Sequence, residues 1–259
     1  MSGPFDLDVP DDPVRRAQVL ARPELPRRFY AEAAVAEAEG GFVATLDGKP
    51  TKTPGGLPAV VPSRELAAAA AAEWAAQGSH VDAATMPLVR LVNAALDGVA
   101  ARADAVVDSI AAYAGSDLLC YRPDGPERLV ARTTALWDPV LAWAEERLGA
   151  RFVLAAGVMP VAQPPETLAA VRRAIPDGPP LLLAAVQVLT TLTGSAVLAL
   201  AVAYGRLSFD AAWEAAHVDE DWNIGLWGTD AEALARRAWR EAEARAAARV
   251  VAALPPVRP

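Results

Sequence analysis

The feature that most constrains the fold is an uncharged run from Pro179 to Gly205. About 20 apolar residues are enough to cross a bilayer, and this run is longer than that. Polar and small residues between Gln187 and Ser195 interrupt its middle, however, and no basic cluster or aromatic pair flanks both of its ends. We therefore predict two buried helices at the centre of a helical bundle, and no membrane insertion.

The composition points to a globular protein with an acidic surface. The chain has 259 residues, of which 53% are hydrophobic, so it can bury a substantial core over two domains. Its formal net charge is −8, and an acidic chain is a poor ligand for phosphate backbones, so we expect no nucleic-acid partner. The acidic, proline-bearing start of the chain is unlike a targeting peptide, which predicts a cytoplasmic location.

Residues that carry common chemistry are scarce. Cys120 is the single cysteine, and His80 and His217 are the only histidines. This argues against disulfides, thiolate metal sites and most histidine-based catalysis. The sequence also lacks a phosphate-binding loop, a dinucleotide fingerprint and a G-x-S-x-G elbow. We therefore predict no cofactor, no metal and no catalytic residues.

The pattern along the chain predicts an α+β fold with three parts. Residues 1–26 are predicted to form an irregular arm, 27–85 a small β-rich N-terminal domain, and 86–259 an all-helical C-terminal bundle. The stretch GGFVATLDGKPTKTP predicts strand, turn and strand. Lys49 and Lys52, the only lysines, lie on this hairpin, where charges discourage edge pairing.

Helical periodicity and capping residues follow from Ser63 onward. The predicted helices cover 63–78, 86–99, 102–115, 127–148, 164–175, 181–193, 195–205, 208–225 and 229–253. The stretch RFVLAAGVMPV is predicted to add a short strand or an extended strap.

The stretch HVDEDWNIGLWG, from His217 to Gly228, combines three acids with tryptophans. We interpret 208–227 as one largely buried helix capped by Ser208. At about 100° per residue, one arc then contains Phe209, Trp213, Ala216, Glu220, Ile224 and Trp227. A second, polar arc contains Asp210, Glu214, His217 and Asp221.

Glu220 is anomalous in this arrangement because it falls among aromatic residues. A buried carboxylate needs a partner, so Glu220 either pairs with an arginine of another helix or caps a backbone N–H. Alternatively, it lies at the rim of an apolar groove that receives a partner. A metal site made of His217 and the neighbouring acids is a further, weaker alternative.

Seven stretches occur together in an order that resembles a known family. They are RRFY, GGFVATLDGKPTKTP, AAEWAAQ, MPLVRLVNAALDGV, YAGSDLLCYR, WDPVLAW and AVAYGRLSFDAAWEAAHVDEDWNIGLWG. The set resembles the assembly chaperones for the alpha subunit of F-type ATP synthase, which are found in mitochondria and alphaproteobacteria. The resemblance implies a β-containing N-terminal domain, a helical C-terminal domain and no enzymatic activity.

The resemblance also implies a partner and a binding site. It implies binding of free alpha subunit, whose interface is shielded until the beta subunit replaces the chaperone. The family's C-terminal motif matches Asp219 and Glu220 as the acidic pair, Trp222 as the aromatic residue, and Trp227 and Gly228 as the ending. Asn223 stands in place of the usual glutamine, and Gly225 in place of a frequent charged residue. With Trp213, these matched residues are the predicted partner-binding residues.

Two other functions stay open on sequence grounds. A small-molecule hydrolase or isomerase would use Glu220 as its base and would need a second titratable group nearby. A structural subunit of a stable complex would co-purify with its partners constitutively. For the chaperone we expect a monomer, located in the bacterial cytoplasm or, in eukaryotic relatives, in the mitochondrial matrix.

Overall fold

The computed structural model describes residues 25–157 and 160–256. Most of the predicted N-terminal arm therefore lies outside the described residues. The described chain begins with a small sheet and continues as a helical assembly, so the α+β prediction is confirmed.

The N-terminal sheet has three antiparallel strands in the order β1-β2-β3. They are β1 (Ala33–Ala38), β2 (Gly41–Leu46) and β3 (Lys49–Pro50). Between β2 and β3, Asp47 and Gly48 both have positive φ, at 47° and 76°. Aspartate followed by glycine is favoured in such a two-residue reversal, because both positions are left-handed. The predicted strand, turn and strand are confirmed.

Ten α-helices follow in the described residues, mostly within two residues of their predicted bounds. They are α1 (Arg64–Ala75), α2 (Pro87–Asp97), α3 (Ala103–Tyr113), α4 (Glu127–Trp143), α5 (Pro165–Ala174), α6 (Pro180–Thr193), α7 (Ala196–Ala203), α8 (Phe209–Ala216), α9 (Val218–Trp227) and α10 (Ala231–Ala253). The helix predicted over 127–148 ends as an α-helix at Trp143 and continues as a π-helical turn, Ala144–Leu148.

Short 3-10 turns and one small parallel strand pair connect the helices. The turns are Ala83–Thr85, Val99–Ala101, Ala114–Ser116 and Leu118–Cys120. The strands are β4 (Tyr121–Arg122) and β5 (Ala155–Ala156). The short strand predicted within RFVLAAGVMPV is thus present, although residues 158–159 of that stretch lie outside the described residues.

The uncharged run forms the centre of the helical part. Gly194 ends α6 with a left-handed φ of 69°, and Ser195 caps α7 by accepting the Leu198 N–H at 3.0 Å. All eight residues of α7 are buried, and α6 packs against α2, α3, α7 and α10. The prediction of two buried helices is confirmed. In the described part of the chain, no helix is both long and apolar enough to cross a membrane.

The buried side chain of Asp117 stabilises the start of α7 by accepting hydrogen bonds. Its side chain is fully buried and accepts the Leu119 N–H at 3.1 Å and the Val197 N–H at 3.2 Å. Burial raises the pKa of this carboxyl to about 6, although hydrogen bonds from Ser195 and backbone amides oppose the rise.

The core is continuous across residue 85, where the sequence predicts a domain boundary. One hydrophobic cluster contains Val61 and Leu66 from one side and Leu88, Leu91 and Val92 from the other. The division into 27–85 and 86–259 stays a prediction.

The single helix predicted over 208–227 is wrong. The helix ends at Ala216, His217 adopts φ −118° and ψ 17°, and a second helix begins at Val218. The arcs drawn on one continuous helix therefore do not describe how these side chains are arranged.

Candidate partner-binding site

The break between α8 and α9 is stabilised by side chains on both sides. Trp137, fully buried on α4, donates its Nε1–H to the Ala215 carbonyl at 2.8 Å. A carbonyl in the last turn of a helix has no partner within that helix, so it is free to accept this bond. The backbone angles of His217 are not helical and end α8, and α9 then packs against α4.

His217 is a buried connection between α8 and α10. Its side chain is 3% exposed, and its ring lies 3.9 Å from the Trp213 ring, centroid to centroid. Nδ1 lies 2.9 Å from the Trp213 carbonyl, which only accepts, so Nδ1 carries the proton. Nε2 is then an acceptor for Arg240 Nη2, at 3.3 Å. Burial, with Arg240 nearby, lowers the pKa of His217, which favours this neutral form.

These contacts contradict the predicted polar arc. His217 is not on a solvated stripe, because both of its ring nitrogens are engaged inside the protein. Within residues 25–157 and 160–256, no three acidic, histidine or cysteine side chains are grouped so that they could hold a metal ion.

The three acids occupy the first turn of α9. Negative side chains are favourable there because the unpaired N–H groups carry partial positive charge. Asp221 Oδ1 lies 2.6 Å from Arg237 Nη1, whereas Glu220 lies 3.9 Å from Arg237 and 4.0 Å from Arg240. Both arginines belong to α10, so the acids tie α9 to α10.

Glu220 is therefore not buried among aromatic residues, and that expectation is wrong. Its side chain is 38% exposed. Of the alternatives drawn from the sequence, pairing with arginines of another helix matches the geometry. The ion pairs lie at the limit of contact distance, which leaves the carboxylate able to meet a further charged group.

Asp219 differs from its two neighbours. Its Oδ1 atom is buried and has no hydrogen-bond partner among the described residues. Loss of hydration raises the pKa of this carboxyl. Asp219 therefore points towards the protein body, and Glu220 is the more accessible member of the predicted acidic pair.

The connection between α9 and α10 carries exposed apolar side chains. Trp227 is 84% exposed, Leu226 58% and Leu234 50%. We call these three residues the α9–α10 tip. Gly228 follows Trp227 with φ 75° and ψ −173°, a conformation that is open to glycine alone. Asp230 then caps α10 by accepting the Ala233 N–H at 2.7 Å.

The structure divides the predicted partner-binding tryptophans. Trp227 is exposed and Trp222 is half-buried on α9. Trp213 is 6% exposed and stacks on Phe209, so its ring is not accessible to a partner in this structure. Trp213 supports the site by holding His217.

Sequence reasoning missed four residues of this site. They are Leu226, Leu234, Arg237 and Arg240. The two arginines lie three residues apart on α10, so they face the same side of that helix, which is the signal that could have paired them with the acids of α9.

The geometry gives little support to catalysis by Glu220. His217 lies near enough to Glu220 for their charges to interact, but its ring is buried and both ring nitrogens already have hydrogen-bond partners. Of its other charged neighbours, Asp221 is paired with Arg237, the Asp219 Oδ1 atom is buried, and the arginines do not exchange protons near neutral pH.

Comparison with known proteins decides the family. The model of the ATP12 chaperone protein family matches residues 27–145. The crystal structure of Atp12 from Paracoccus denitrificans is 39% identical, with a TM-score of 0.77 over 88% of this chain and 97% of that chain. The chain belongs to the ATP12 chaperone family. A candidate chaperone from Agrobacterium tumefaciens is 49% identical, with a TM-score of 0.82 over 95% of this chain and 92% of that one.

Membership of the ATP12 family confirms the predicted resemblance and the prediction of a non-enzymatic assembly chaperone. The family model ends at residue 145, before α9 and α10 begin. The residues predicted to bind the partner thus lie outside the matched segment, and their role stays a prediction.

Proposed function

We propose that this ATP12-family protein is a chaperone for assembly of the soluble catalytic sector of ATP synthase. It binds free alpha subunit and shields its subunit interface until the beta subunit takes the same place. The observation that carries the proposal is the exposed α9–α10 tip beside a cluster of acids and arginines.

The tip has the chemistry of a protein-docking site. Exposed tryptophan and leucine side chains supply apolar area, and tryptophan is enriched among the residues that dominate binding energy. Trp227 at 84% exposure has no role in the core of this protein. Glu220, Arg237 and Arg240 supply charges whose positions set the register of the partner.

The proposed partner-binding residues are revised accordingly. Glu220, Trp222, Trp227 and Gly228 remain, while Asp219 and Trp213 act as supports beneath them. Leu226, Leu234, Arg237 and Arg240 are added. We propose that the protein acts as a monomer in the cytoplasm, without cofactor or metal.

A capture experiment tests the function. Tagged protein incubated with purified free alpha subunit should retain it, and added beta subunit should release it. Beta subunit that has been premixed with excess alpha subunit is the control for non-specific release. Retention that is insensitive to excess beta subunit would contradict displacement, and no retention of alpha subunit would overturn the proposed function. A stable structural subunit would instead remain bound to the assembled enzyme.

A further inference from the structure

The two lysines of the hairpin lie between two apolar depressions of the N-terminal sheet. One depression has a volume of about 350 Å³ and is lined by residues that include Phe29, Tyr30, Trp74 and Leu46. The other, of about 660 Å³, is lined by residues that include Ala38, Val43 and Val60. Lys49, Pro50 and Lys52 line both depressions. We call this surface the hairpin groove.

The aromatic wall of the hairpin groove is rigid and open. Tyr30 packs edge-on against Phe29 at 5.3 Å and against Trp74 at 5.7 Å, and its hydroxyl donates to the Trp74 carbonyl at 2.7 Å. Phe29 is nevertheless 75% exposed. An exposed aromatic ring held against a fixed wall costs little entropy when a partner covers it, which favours docking.

The charges around the hairpin groove leave the lysines available. Neither Lys49 nor Lys52 forms an ion pair with any carboxylate in the described part of the chain. Asp47 is close, but its carboxylate accepts the N–H groups of Glu32 at 2.8 Å and Ala31 at 3.0 Å, and these bonds lower its pKa more than the nearby charges of Arg28 and Lys49 do. Glu39 lines the larger depression and is the remaining acid at its rim.

The choice of lysine fits a binding role. Of the 24 lysine and arginine residues in the chain, only these two are lysines. Arginine stacks readily on aromatic rings, as Arg28 does over Tyr30 at 4.6 Å. Lysine, with a compact charge on a flexible stem, leaves the aromatic faces open to a ligand.

We propose that the hairpin groove binds an extended acidic segment of the client chain, with apolar side chains in the two depressions and carboxylates on Lys49 and Lys52. In an extended segment, residues i, i+2 and i+4 point to the same side, so an apolar, acidic, apolar order at these positions suits a charged ridge between two apolar hollows. This inference rests on the proposed chaperone function and adds a second contact, on β-sheet residues far in sequence from the α9–α10 tip.

Charge reversal tests the groove. The double variant Lys49→Glu/Lys52→Glu should bind a fluorescein-labelled dodecapeptide, in which Leu, Asp and Phe follow one another at every second position with Ser between them, at least tenfold more weakly than the wild type. Anisotropy titration measures this, and added NaCl should weaken only the wild-type complex. Arg147→Glu/Arg173→Glu, with the same change of net charge on another face, should bind like the wild type. Lys49→Gln/Lys52→Gln repeats the test with less disturbance, and thermal melts check folding.

Capture of free alpha subunit separates this inference from the proposed function. The lysine-to-glutamate variant should capture at least tenfold less than the wild type. Equal capture and equal peptide binding would overturn the groove and leave the proposed function intact. If the wild type captures no alpha subunit, the proposed function fails, and the client assignment fails with it.

Two other occupants are distinguished by further measurements. If Asp6, Asp8, Asp11 and Asp12 are all changed to Asn and the peptide then binds more tightly, the chain's own N-terminal segment competes for the groove, which overturns the client assignment. A wild-type dimer in light scattering that dissociates on lysine reversal would overturn it in favour of a second copy.

Discussion

Arg237 Nη1 lies 2.6 Å from Asp221 Oδ1 but 3.9 Å from Glu220 Oε1. The arginine side chain is 18% exposed and that of Asp221 is 29% exposed, so water screens this pair only in part. The shortest ion pair between α9 and α10 is thus made by Asp221, which the sequence assigns to the polar arc. Glu220, its neighbour, is the acid left more accessible.

We expect Asp221→Asn to lower the free energy of unfolding by about 1 kcal/mol, between the values for exposed and fully buried pairs. Glu220→Gln should change it by less than about 0.5 kcal/mol, because its arginine contacts are long. Urea unfolding measures both. Asp210→Asn, which removes an exposed contact to Arg245, is the matched control. An Asp221→Asn variant as stable as that control would show that the tie contributes nothing.

Glu220→Gln should nevertheless weaken capture of alpha subunit about tenfold, which corresponds to about 1.4 kcal/mol. The carboxylate is accessible at the site we propose for the partner, and its charge is what the change removes. A titration of labelled alpha subunit measures the dissociation constant. Unchanged affinity would remove Glu220 from the site.

Replacing Trp227 by alanine should abolish most of the capture without affecting folding. An 84% exposed side chain contributes little to the core, whereas an exposed tryptophan at an interface commonly contributes 2 kcal/mol or more. The control is Leu154→Ala, another exposed apolar side chain, which should capture normally. Trp213→Ala should instead cost about 3–5 kcal/mol of stability, since its ring is buried. A Trp227→Ala variant with normal affinity would contradict the tip as the contact surface.

Gly228→Ala tests whether the backbone conformation of the turn matters. A methyl group at this position would meet no atom within 4 Å, so any effect comes from the backbone angles. Those angles are strained for other residues by about 1–3 kcal/mol. We expect lower stability and weaker capture, because the turn orients Trp227. Gly225→Ala, at a helical position that is equally open, is the control and should be neutral or slightly stabilising. Equal behaviour of the two variants would show that the turn does not orient the tip.

Stability should fall on acidification through the range in which His217 gains a proton. The pKa of His217 is lowered in the folded protein, so below about pH 6.5 the unfolded state binds more protons and folding loses free energy. Asp117 acts in the opposite direction, because its raised pKa of about 6 makes the folded state bind more protons between about pH 6 and 4.

The difference between wild type and His217→Gln isolates the histidine contribution. Glutamine can still accept from Arg240 but does not titrate in this range, so the variant should lose less stability between pH 7.5 and 5.5. Urea unfolding at several pH values measures the two slopes. Identical slopes would show that His217 is not held neutral by its contacts with Trp213 and Arg240.

Much of the fold could be predicted because local signals agreed with the final packing. Gly194 and Ser195 sit where a helix end and a helix start need them, so the break in the uncharged run was readable. Aspartate followed by glycine likewise marked the turn at Asp47. In each case the residue type favours the backbone conformation that the structure has at that position.

The break at His217 could not be predicted in this way. It contains neither glycine nor proline, and His217 still lies four residues from Trp213, as in a continuous helix. The helical spacing of the sequence therefore continues across a backbone break that tertiary contacts with Trp137 and Arg240 stabilise. Because 208–227 is interpreted as one helix, Glu220 is predicted to lie among aromatic residues, and the ion pair of Asp221 with Arg237 is not predicted.

The long helix α10 is packed unevenly along its length. Its buried residues lie in the second half, from Ala244 onward, while most of the first ten residues are exposed. At 1.5 Å per residue, the first turn of α10 at Ala231 lies about 14 Å from Arg240. A tilt of the helix by about 10° about Arg240 would therefore displace that turn by roughly 2–3 Å. Because Arg240 is hydrogen-bonded to the Leu192 carbonyl and to His217, a tilt about that residue would move the start of α10, beside Trp227, more than it moves the anchored part of the helix.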